Sequence, residues 1–323
     1  MRALLQQDFS GPDGVVLADV PAPKPESDRS ALIEVHAAGV SFADMLITRG
    51  EYQVRPSLPY IPGLEVAGVV REAPAGSGLA AGQRVAAFMF GGAFAEEAMA
   101  DPAMVVPIPD NLGFPEAAGM TVNYQTAWLT LVRRARLEAG EQVLVQGAGG
   151  GLGVATIQVA KALGARVVGV AAAGAKADMA EAAGADVVVR ADDGWADAVR
   201  EATGGGVDVV VDPVGADRFL DSLRLLRPEG RLVVVGFAGG EIPQVKVNRL
   251  LLRNTTVMGA AWREFLAHDR GFVAAAGAAL FDLVAAGRLT PLLGTRYPFE
   301  NGVQALRDLA ARQAVGKLVI TVR

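Results

Sequence analysis

Residues 143–164 read VLVQGAGGGLGVATIQVAKALG, and this stretch decides the fold. An apolar run at residues 143–145 leads into a cluster of glycines, and a helical pattern follows that stops at Gly164. Strand, glycine turn and helix, in that order, form the first β-α unit of a dinucleotide-binding fold. Glycines let the backbone approach a pyrophosphate, and the helix N-terminus supplies amide donors and the positive end of its dipole.

The spacing of the glycines indicates which residues touch the bound nucleotide. The frame that starts at Gly147 misses the standard G-x-G-x-x-G pattern by one residue, and the frame that starts at Ala148 fits better. We therefore expect the pyrophosphate to lie against Ala148, Gly150, Gly151, Leu152 and Gly153.

Composition narrows the classes of function. The chain has 323 residues, 51% of them hydrophobic and 20% charged, which suits a well-buried protein of two domains. Its net charge of −5 argues against nucleic acid or an anionic membrane as the main partner. It has no cysteine and only two histidines, so we expect no metal site. No signal peptide opens the chain and no apolar run is long enough to span a bilayer, which predicts a cytoplasmic protein.

The middle third alternates short apolar runs with helical patterns. The predicted strands are 142–146, 166–171, 186–190, 207–212, 231–236 and 255–259, and the predicted helices are 152–163, 175–183, 195–203 and 216–226. Most of the strands are continuously apolar, as in a parallel sheet that is covered on both faces. This pattern predicts a doubly wound α/β domain over residues 120–260.

The flanking regions differ from the middle. Proline and glycine recur through the first 115 residues, between short β-like runs, which predicts a β-rich domain. A helix opens at Pro115 and is expected to continue to Leu131, bridging two domains. Helices near 271–286 and 301–312 and a strand at 317–322 follow. We assign residues 1–119 and 261–323 to one domain and 120–260 to the other.

Seven motifs in order resemble one family over nearly the whole chain. They are GVSFAD (39–44), RGEY (49–52), IPGLEVAG (61–68), VNYQTA (122–127), the glycine turn, DPVG (212–215) and GK (316–317). This series resembles the medium-chain dehydrogenase/reductase superfamily and, within it, the zinc-free quinone oxidoreductases of the zeta-crystallin-like branch. The resemblance implies a β-rich GroES-like domain and a Rossmann domain.

Departures from the zinc-dependent relatives set the expected chemistry. Ser41 stands where those relatives carry a cysteine ligand, Leu64 where they carry a histidine, and the third ligand position falls near Val122. Without these ligands a zinc alkoxide is unavailable, which leaves direct hydride transfer from nicotinamide to an electron-poor acceptor. The quinone branch usually has asparagine at the Ser41 position, so Ser41 is expected to line the substrate pocket with a different polar contact. Asp44 is expected to hold a hydrogen bond between the domains or in the pocket, and a structural role is favoured over a catalytic one.

The second predicted strand indicates which nicotinamide cofactor binds. NAD-specific folds carry an acidic side chain at its end, but no acid follows this strand until Asp178. Lys176 could reach a 2′-phosphate, and Arg190 could bind one bidentately. Alternatively, Lys176 is a solvated lysine at a helix start and Arg190 a surface cap. We predict NADPH.

The resemblance implies further site residues. Asn123 and Thr126 would orient the nicotinamide and its ribose or simply pack in their helix, and Lys317 would contact the cofactor. Phe237 and Gly239 follow the fifth predicted strand and are expected at the carboxyl end of the sheet, where open α/β folds bind ligands, although Phe237 could equally be part of the core. Tyr124 would line the substrate pocket or simply pack in its helix.

Tyr52 is the candidate proton donor. By resemblance to the enoyl-thioester reductases of the superfamily, a tyrosine at this position can protonate the α-carbon after the hydride arrives, and a phenol suits a donor. The other interpretation is that Tyr52 only lines the substrate pocket.

The sequence thus predicts an NADPH-dependent reductase that passes a hydride to a small-molecule acceptor, a quinone or an α,β-unsaturated carbonyl. One alternative is an enoyl-thioester reductase for acryloyl-CoA-like substrates. Another is a non-catalytic nucleotide-binding protein. The family also implies a homodimer in which the strand from Thr255 to Gly259 pairs with its copy.

Overall fold

The computed structural model describes residues 1–24 and 30–323. They form two compact units, each with its own apolar core. The first unit comprises Met1–Asn123, Asp269–Gly287 and Leu293–Arg323, and the second comprises Tyr124–His268 and Arg288–Leu292. The domain boundaries after residues 119 and 260 stay predictions.

The N-terminal part of the first unit is rich in β-structure, as predicted. Within the described residues its strands are β1 (Arg2–Gln6), β2 (Val15–Asp19), β3 (Ala31–Val40), β4 (Glu65–Glu72), β5 (Arg84–Phe88), β6 (Glu97–Ala100) and β7 (Val105–Pro107). The helices there are α1 (Phe42–Thr48) and α2 (Phe114–Ala118). Strands β1 and β2 form a small antiparallel ribbon, and β3 pairs with β4 and β6 in the larger sheet.

The prediction of one continuous helix from Pro115 to Leu131 is wrong. Helix α2 ends at Ala118, a second helix, α3, covers Thr121–Trp128, and a π-helical segment, Leu129–Arg134, follows it. The break has a tertiary cause, because the backbone N–H of Val122 donates to a carboxylate oxygen of Glu65 at 2.6 Å instead of closing a helical turn. A Cβ on Gly119 would also lie 2.8 Å from Leu293 Cδ2, so this position sits in close packing.

The second unit, described over its full length, is built on a parallel sheet of six strands. These are β8 (Gln142–Gln146), β9 (Arg166–Ala171), β10 (Val187–Arg190), β11 (Val207–Asp212), β12 (Leu226–Val234) and β13 (Thr256–Gly259). Its helices are α4 (Gly151–Ala162), α5 (Ala175–Ala182), α6 (Trp195–Ala202), α7 (Arg218–Arg224), α8 (Asn248–Leu251) and α9 (Trp262–Leu266). The strand order is β10-β9-β8-β11-β12-β13. This is the doubly wound order, which confirms the predicted fold class.

Strand β12 departs from its predicted bounds of 231–236. It begins at Leu226, where the sequence predicted a helix, and it pairs with β11 through a register shift between Val207 and Val209. Glu229 has a φ of 67° and donates its N–H to Asn254 O, so a kinked start of the strand is held by a neighbouring loop.

The last residues return to the sheet of the first unit. Helix α10 (Phe272–Ala285) is followed by β14 (Leu293–Pro298), α11 (Gly302–Ala310) and β15 (Lys317–Thr321). Strand β15 pairs antiparallel with β3, and β14 pairs parallel with β15. In the described part of the chain, every helix is too short or too polar to cross a bilayer.

Candidate functional site

The carboxyl ends of β8 and β11 mark the candidate nucleotide site in the second unit. These neighbouring strands lead to opposite sides of the sheet, β8 toward β9 and β10, and β11 toward β12 and β13. Open α/β sheets bind ligands at such a switch point. The loops after both strands meet there, since a Cβ on Gly147 would lie 3.4 Å from Val214 Cγ2.

Helix α4 begins at the glycine turn, and its first backbone N–H groups have no acceptor within the helix. Gly147 has a φ of 63°, and Gly150 occupies the N-cap position with no side chain to bond the first amides. The N–H groups of residues 151–153 fall in the first helical turn, where no helical carbonyl can accept them. These donors and the helix dipole form a site for an anion, as a pyrophosphate requires.

Two glycines are required by close packing around this turn. A Cβ on Gly153 would lie 2.3 Å from Gly147 O, so helix α4 packs directly on the turn that precedes it. A Cβ on Gly149 would lie 2.3 Å from the backbone oxygen of Lys176. Sequence reasoning missed the role of Gly149, because its neighbour comes from the segment after β9.

Lys176 and Arg190 follow adjacent strands. Lys176 is half-buried in the first turn of α5, after β9, and Arg190 is the exposed last residue of β10, paired in register with Ala171. The end of β9 carries alanines and no carboxylate. Two exposed acids, Asp192 and Asp193, do follow β10, so this edge of the sheet has mixed charge.

The loops after β11 and β12 are tied to each other. Gly239 N donates to Val214 O at 2.8 Å, and a Cβ on Gly239 would lie 2.8 Å from that oxygen. Phe237, beside it, exposes 40% of its surface. Asp212 holds the first loop, since its Oδ1 accepts from the backbone N–H groups of Val214 and Gly215. Burial raises the pKa of Asp212.

Helix α3 carries the three candidates Asn123, Tyr124 and Thr126. Asn123 is half-buried and Thr126 is buried, and the Thr126 carbonyl accepts from the Thr130 hydroxyl at 2.7 Å. Tyr124 is buried, and its hydroxyl donates to Gln158 on α4. Burial raises the pKa of Tyr124. The structure thus places Tyr124 in packing against α4, and its contact with substrate stays a prediction.

In the first unit, Ser41 caps helix α1 beside a buried carboxyl group. The backbone N–H and the hydroxyl of Ser41 both donate to Asp44 Oδ2, at 2.7 and 2.8 Å. Both side chains are buried. Burial raises the pKa of Asp44 to about 7, against the lowering effects of the Ser41 hydrogen bonds and of Lys317.

Lys317 lies close to this pair rather than on an open surface. Its side chain is 2% exposed, and its ammonium bonds to the carboxylate of Glu65, which is itself fully buried. The ion pair of Lys317 and Glu65 joins β15 to β4. A contact between Lys317 and the cofactor stays a prediction.

The first unit offers a poor donor set for zinc. Leu64 is buried and apolar, and the Val122 amide is bonded to Glu65. The described residues bring together no group of three or more His, Cys, Asp or Glu side chains that could hold a metal ion.

Tyr52 lies on an exposed loop after α1. It is half-buried, between the exposed residues Glu51 and Gln53. Gly50 turns the chain with a φ of 67°, and Arg55 stacks over the ring of Phe9 at 4.2 Å. The second unit therefore brings the glycine turn, Lys176, Arg190 and the loop with Phe237 and Gly239 to one edge of its sheet. Ser41, Tyr52, Asn123 and Lys317 belong to the first unit.

Known proteins share both halves of this architecture. Residues 27–110 match the alcohol dehydrogenase GroES-like domain, and residues 151–273 match the zinc-binding dehydrogenase family. The chain is 37% identical over 306 residues to quinone oxidoreductase-like protein 2 of Rattus norvegicus, covering 94% of this chain and 87% of that protein.

Two solved structures are similar over the full chain. A probable oxidoreductase from Mycobacterium abscessus is 45% identical with a TM-score of 0.91, covering 100% of this chain and 99% of that one. The Escherichia coli quinone oxidoreductase, solved in complex with NADPH, is 27% identical with a TM-score of 0.90, covering all of both chains.

These matches and the two folds define a medium-chain dehydrogenase/reductase, with a GroES-like first unit and a Rossmann-like second unit. Within that superfamily the chain belongs to the quinone oxidoreductase branch of oxidoreductases.

Proposed function

We propose that this protein is an NADPH-dependent, zinc-independent reductase that passes a hydride to a quinone or an α,β-unsaturated carbonyl. The glycine turn at the N-terminus of α4, beside the carboxylate-free end of β9, carries the proposal. The NADPH bound to the Escherichia coli relative supports the choice of cofactor. When bound, the cofactor supplies the hydride from nicotinamide C4.

The residues of the second unit fit the two phosphate groups of NADPH. A Cβ on Gly150 would meet only Gly147 O, at 3.5 Å, so the turn leaves room above the helix start. The amides of residues 151–153 would hold the pyrophosphate. Lys176 and Arg190 would hold the 2′-phosphate, the first as a point charge and the second as a planar fork. Lys176 lies beside the turn, since its backbone packs against Gly149, whereas Arg190 is followed by two exposed acids.

The first unit would supply the acceptor pocket through Ser41 and Tyr52. A quinone reduced by a hydride needs protons at oxygen, whereas an enone needs a proton at its α-carbon. Tyr52 would serve the enone, which requires the phenol to reach the substrate carbon.

The proposal is tested by measuring NADPH oxidation by the purified protein with each of three acceptors: a quinone, an alkenal and a crotonyl thioester. We expect turnover with the quinone or the alkenal, unchanged by chelation of metal ions. Tight binding of NADPH without turnover of any acceptor would instead support a non-catalytic nucleotide-binding protein.

A second candidate function is enoyl-thioester reduction. Arg49 and Arg55 are exposed around the Gly50 turn, and the phosphates of a thioester carrier need such cations. Selective turnover of the crotonyl thioester, weakened by Arg49→Ala and Arg55→Ala but not by Arg71→Ala, would favour this candidate.

We further propose a homodimer that works in the cytoplasm. Strand β13 is the last in its sheet, and the adjacent segment exposes the four apolar side chains Ile242, Val247, Leu251 and Leu252, each to at least 70%. A large exposed apolar patch beside a sheet edge is typical of an interface. Light scattering should give a dimer that Leu251→Lys converts to monomer, whereas Val54→Lys should not. Cell fractionation tests the location.

A further inference from the structure

Three ionisable side chains are buried together in the first unit. Asp44 of α1 and Glu65 of β4 are fully buried, and Lys317 of β15 is 2% exposed. Lys317 bonds to Glu65, whose other oxygen accepts the Val122 amide. Within the described residues no ion pair joins Asp44 to a cation. In this cluster of described residues, Asp44 is therefore the second carboxyl group beside a single cation, Lys317.

Burial makes the neutral form of Asp44 accessible. Burial is the largest cause of its raised pKa, which lies at about 7, and the Glu65 charge adds to it against Lys317. The 3₁₀ turn Gly11–Gly14 and helix α11 pack against α1. They carry Asp13 and Arg307, which pair with each other at the surface. Near neutral pH Asp44 thus carries a proton in a substantial fraction of molecules.

Geometry decides where that proton can go. Oδ2 of Asp44 lies 2.8 Å from Ser41 Oγ and 2.7 Å from Ser41 N, and Oδ1 is buried with no hydrogen-bond partner among the described residues. A proton on Oδ1 would have no acceptor in the described part of the chain, whereas a proton on Oδ2 can be donated to Ser41 Oγ, because the backbone N–H cannot accept. The direction of the hydrogen bond between the two side chains then reverses, so that the Ser41 hydroxyl can donate its hydrogen to another acceptor.

We propose that Ser41 and Asp44 form a proton-supplying pair for the oxygen of the reduced acceptor. The inference rests on the proposed function. After hydride transfer the acceptor oxygen carries a negative charge. The Ser41 O–H bond breaks as a bond from that hydrogen to the acceptor oxygen forms, and the Asp44 proton passes to Ser41 Oγ. The Asp44 carboxylate then takes a proton from water once the product has left.

The Ser41–Asp44 pair and Tyr52 would protonate different atoms of the acceptor. Ser41 serves an oxygen, as in a quinone, and Tyr52 would serve a carbon, as in an enone. Positioned general acids contribute roughly a hundredfold to ten-thousandfold in rate. Quinone reduction should therefore depend on Ser41 and Asp44 more than on Tyr52.

Ser41→Ala, Asp44→Asn and the control Thr48→Val test the proposal. Thr48 carries a buried hydroxyl on the same helix, and that hydroxyl donates to the Met45 carbonyl instead of to a carboxyl group of the described chain. Quinone-dependent kcat is followed from about pH 5 to about pH 9, in H2O and D2O. Wild type and Thr48→Val should lose kcat above about pH 7 and show a solvent isotope effect. Ser41→Ala and Asp44→Asn should fall at least about tenfold in kcat and lose both features.

Infrared spectra of the cofactor-free protein give a readout besides activity. Near pH 6 the wild type should show a protonated carboxyl band that Asp44→Asn removes, Ser41→Ala shifts and Thr48→Val leaves in place. Absence of that band, or an unchanged pH profile and isotope effect in Asp44→Asn, would refute the proton-supplying role of Ser41 and Asp44. The proposed function would still stand in that case if the wild type reduces the quinone. No turnover by the wild type, with the band present, overturns the proposed function and the catalytic use of the pair together.

Discussion

The backbone of Gly149 packs against the backbone of Lys176, so that a Cβ on Gly149 would lie 2.3 Å from the Lys176 carbonyl oxygen and 2.6 Å from its Cβ. The turn expected to hold the pyrophosphate and the lysine expected to hold the 2′-phosphate are therefore positioned by one contact. A side chain at residue 149 would have to move both.

Gly149→Ala should weaken NADPH binding at least about tenfold and lower stability by about 1–3 kcal/mol, because the new methyl group overpacks the contact. Gly271→Ala is the matched control, since its Cβ would meet only Asp269 Oδ1, at 3.5 Å. Fluorescence titration and thermal unfolding measure the two effects. Normal NADPH affinity in Gly149→Ala would show that the contact does not position the site.

Lys176→Ala and Arg190→Ala should each weaken NADPH binding and leave NADH binding unchanged, because only NADPH carries the 2′-phosphate. A hydrogen bond to a charged group contributes about 1.5–3 kcal/mol, which corresponds to roughly tenfold to a hundredfold in Kd. Lys161→Ala controls for loss of a surface cation, since Lys161 pairs with Asp186. Tighter binding of NADH than of NADPH by the wild type would refute the assignment of both residues.

Elements with a local signal could be predicted from the sequence. Strands β8, β9 and β11 have the predicted ends, because each is a continuous apolar run between turn residues. The glycine turn is also predictable, because its signal lies within a few consecutive residues. The break between α2 and α3 was not predictable, since it depends on Glu65, which is distant in sequence and bonds the Val122 amide.

The same limit applies to the candidate site. Charged residues are expected at the surface from their residue type alone, yet Asp44, Glu65 and Lys317 are buried together. Lys317 was expected at the cofactor only because it stands in the closing Gly-Lys motif. Its pairing with Glu65 joins residues from two distant strands, and no local pattern indicates such a pair.

Lys317→Met should destabilise the protein by about 3–5 kcal/mol, because it leaves the Glu65 carboxylate buried without a cation. The double variant Lys317→Met/Glu65→Gln should be less destabilised than the sum of the single variants. Urea unfolding at neutral pH measures the cycle. Arg296→Met, which breaks a half-exposed pair with Glu116, should cost no more than about 1 kcal/mol. Additive effects of Lys317→Met and Glu65→Gln would argue against coupling between the two side chains.

Asp44 should make the stability of the protein fall as the pH rises. Its folded-state pKa of about 7 lies above the ordinary value of 3.8, so between these values the folded state binds the proton more tightly than the unfolded state. By linkage, the free energy of unfolding then decreases with increasing pH across this window, by up to about 4 kcal/mol at 1.36 kcal/mol per pKa unit. Other groups titrate over the same range, so the contribution of Asp44 is the difference between wild type and Asp44→Asn.

Urea unfolding of both proteins from about pH 4 to about pH 8 measures that difference. Asp44→Asn should gain stability relative to the wild type as the pH rises to about 7, and the difference should level off above it, where both states of the wild type are ionised at this residue. Glu96→Gln is a control, because the Arg2 hydrogen bonds hold the pKa of Glu96 below its ordinary value of 4.5. The difference between wild type and Glu96→Gln should therefore stay level as the pH rises from that value. A constant difference between wild type and Asp44→Asn over this range would mean that Asp44 is ionised throughout, and that Lys317 compensates its charge despite being bonded to Glu65.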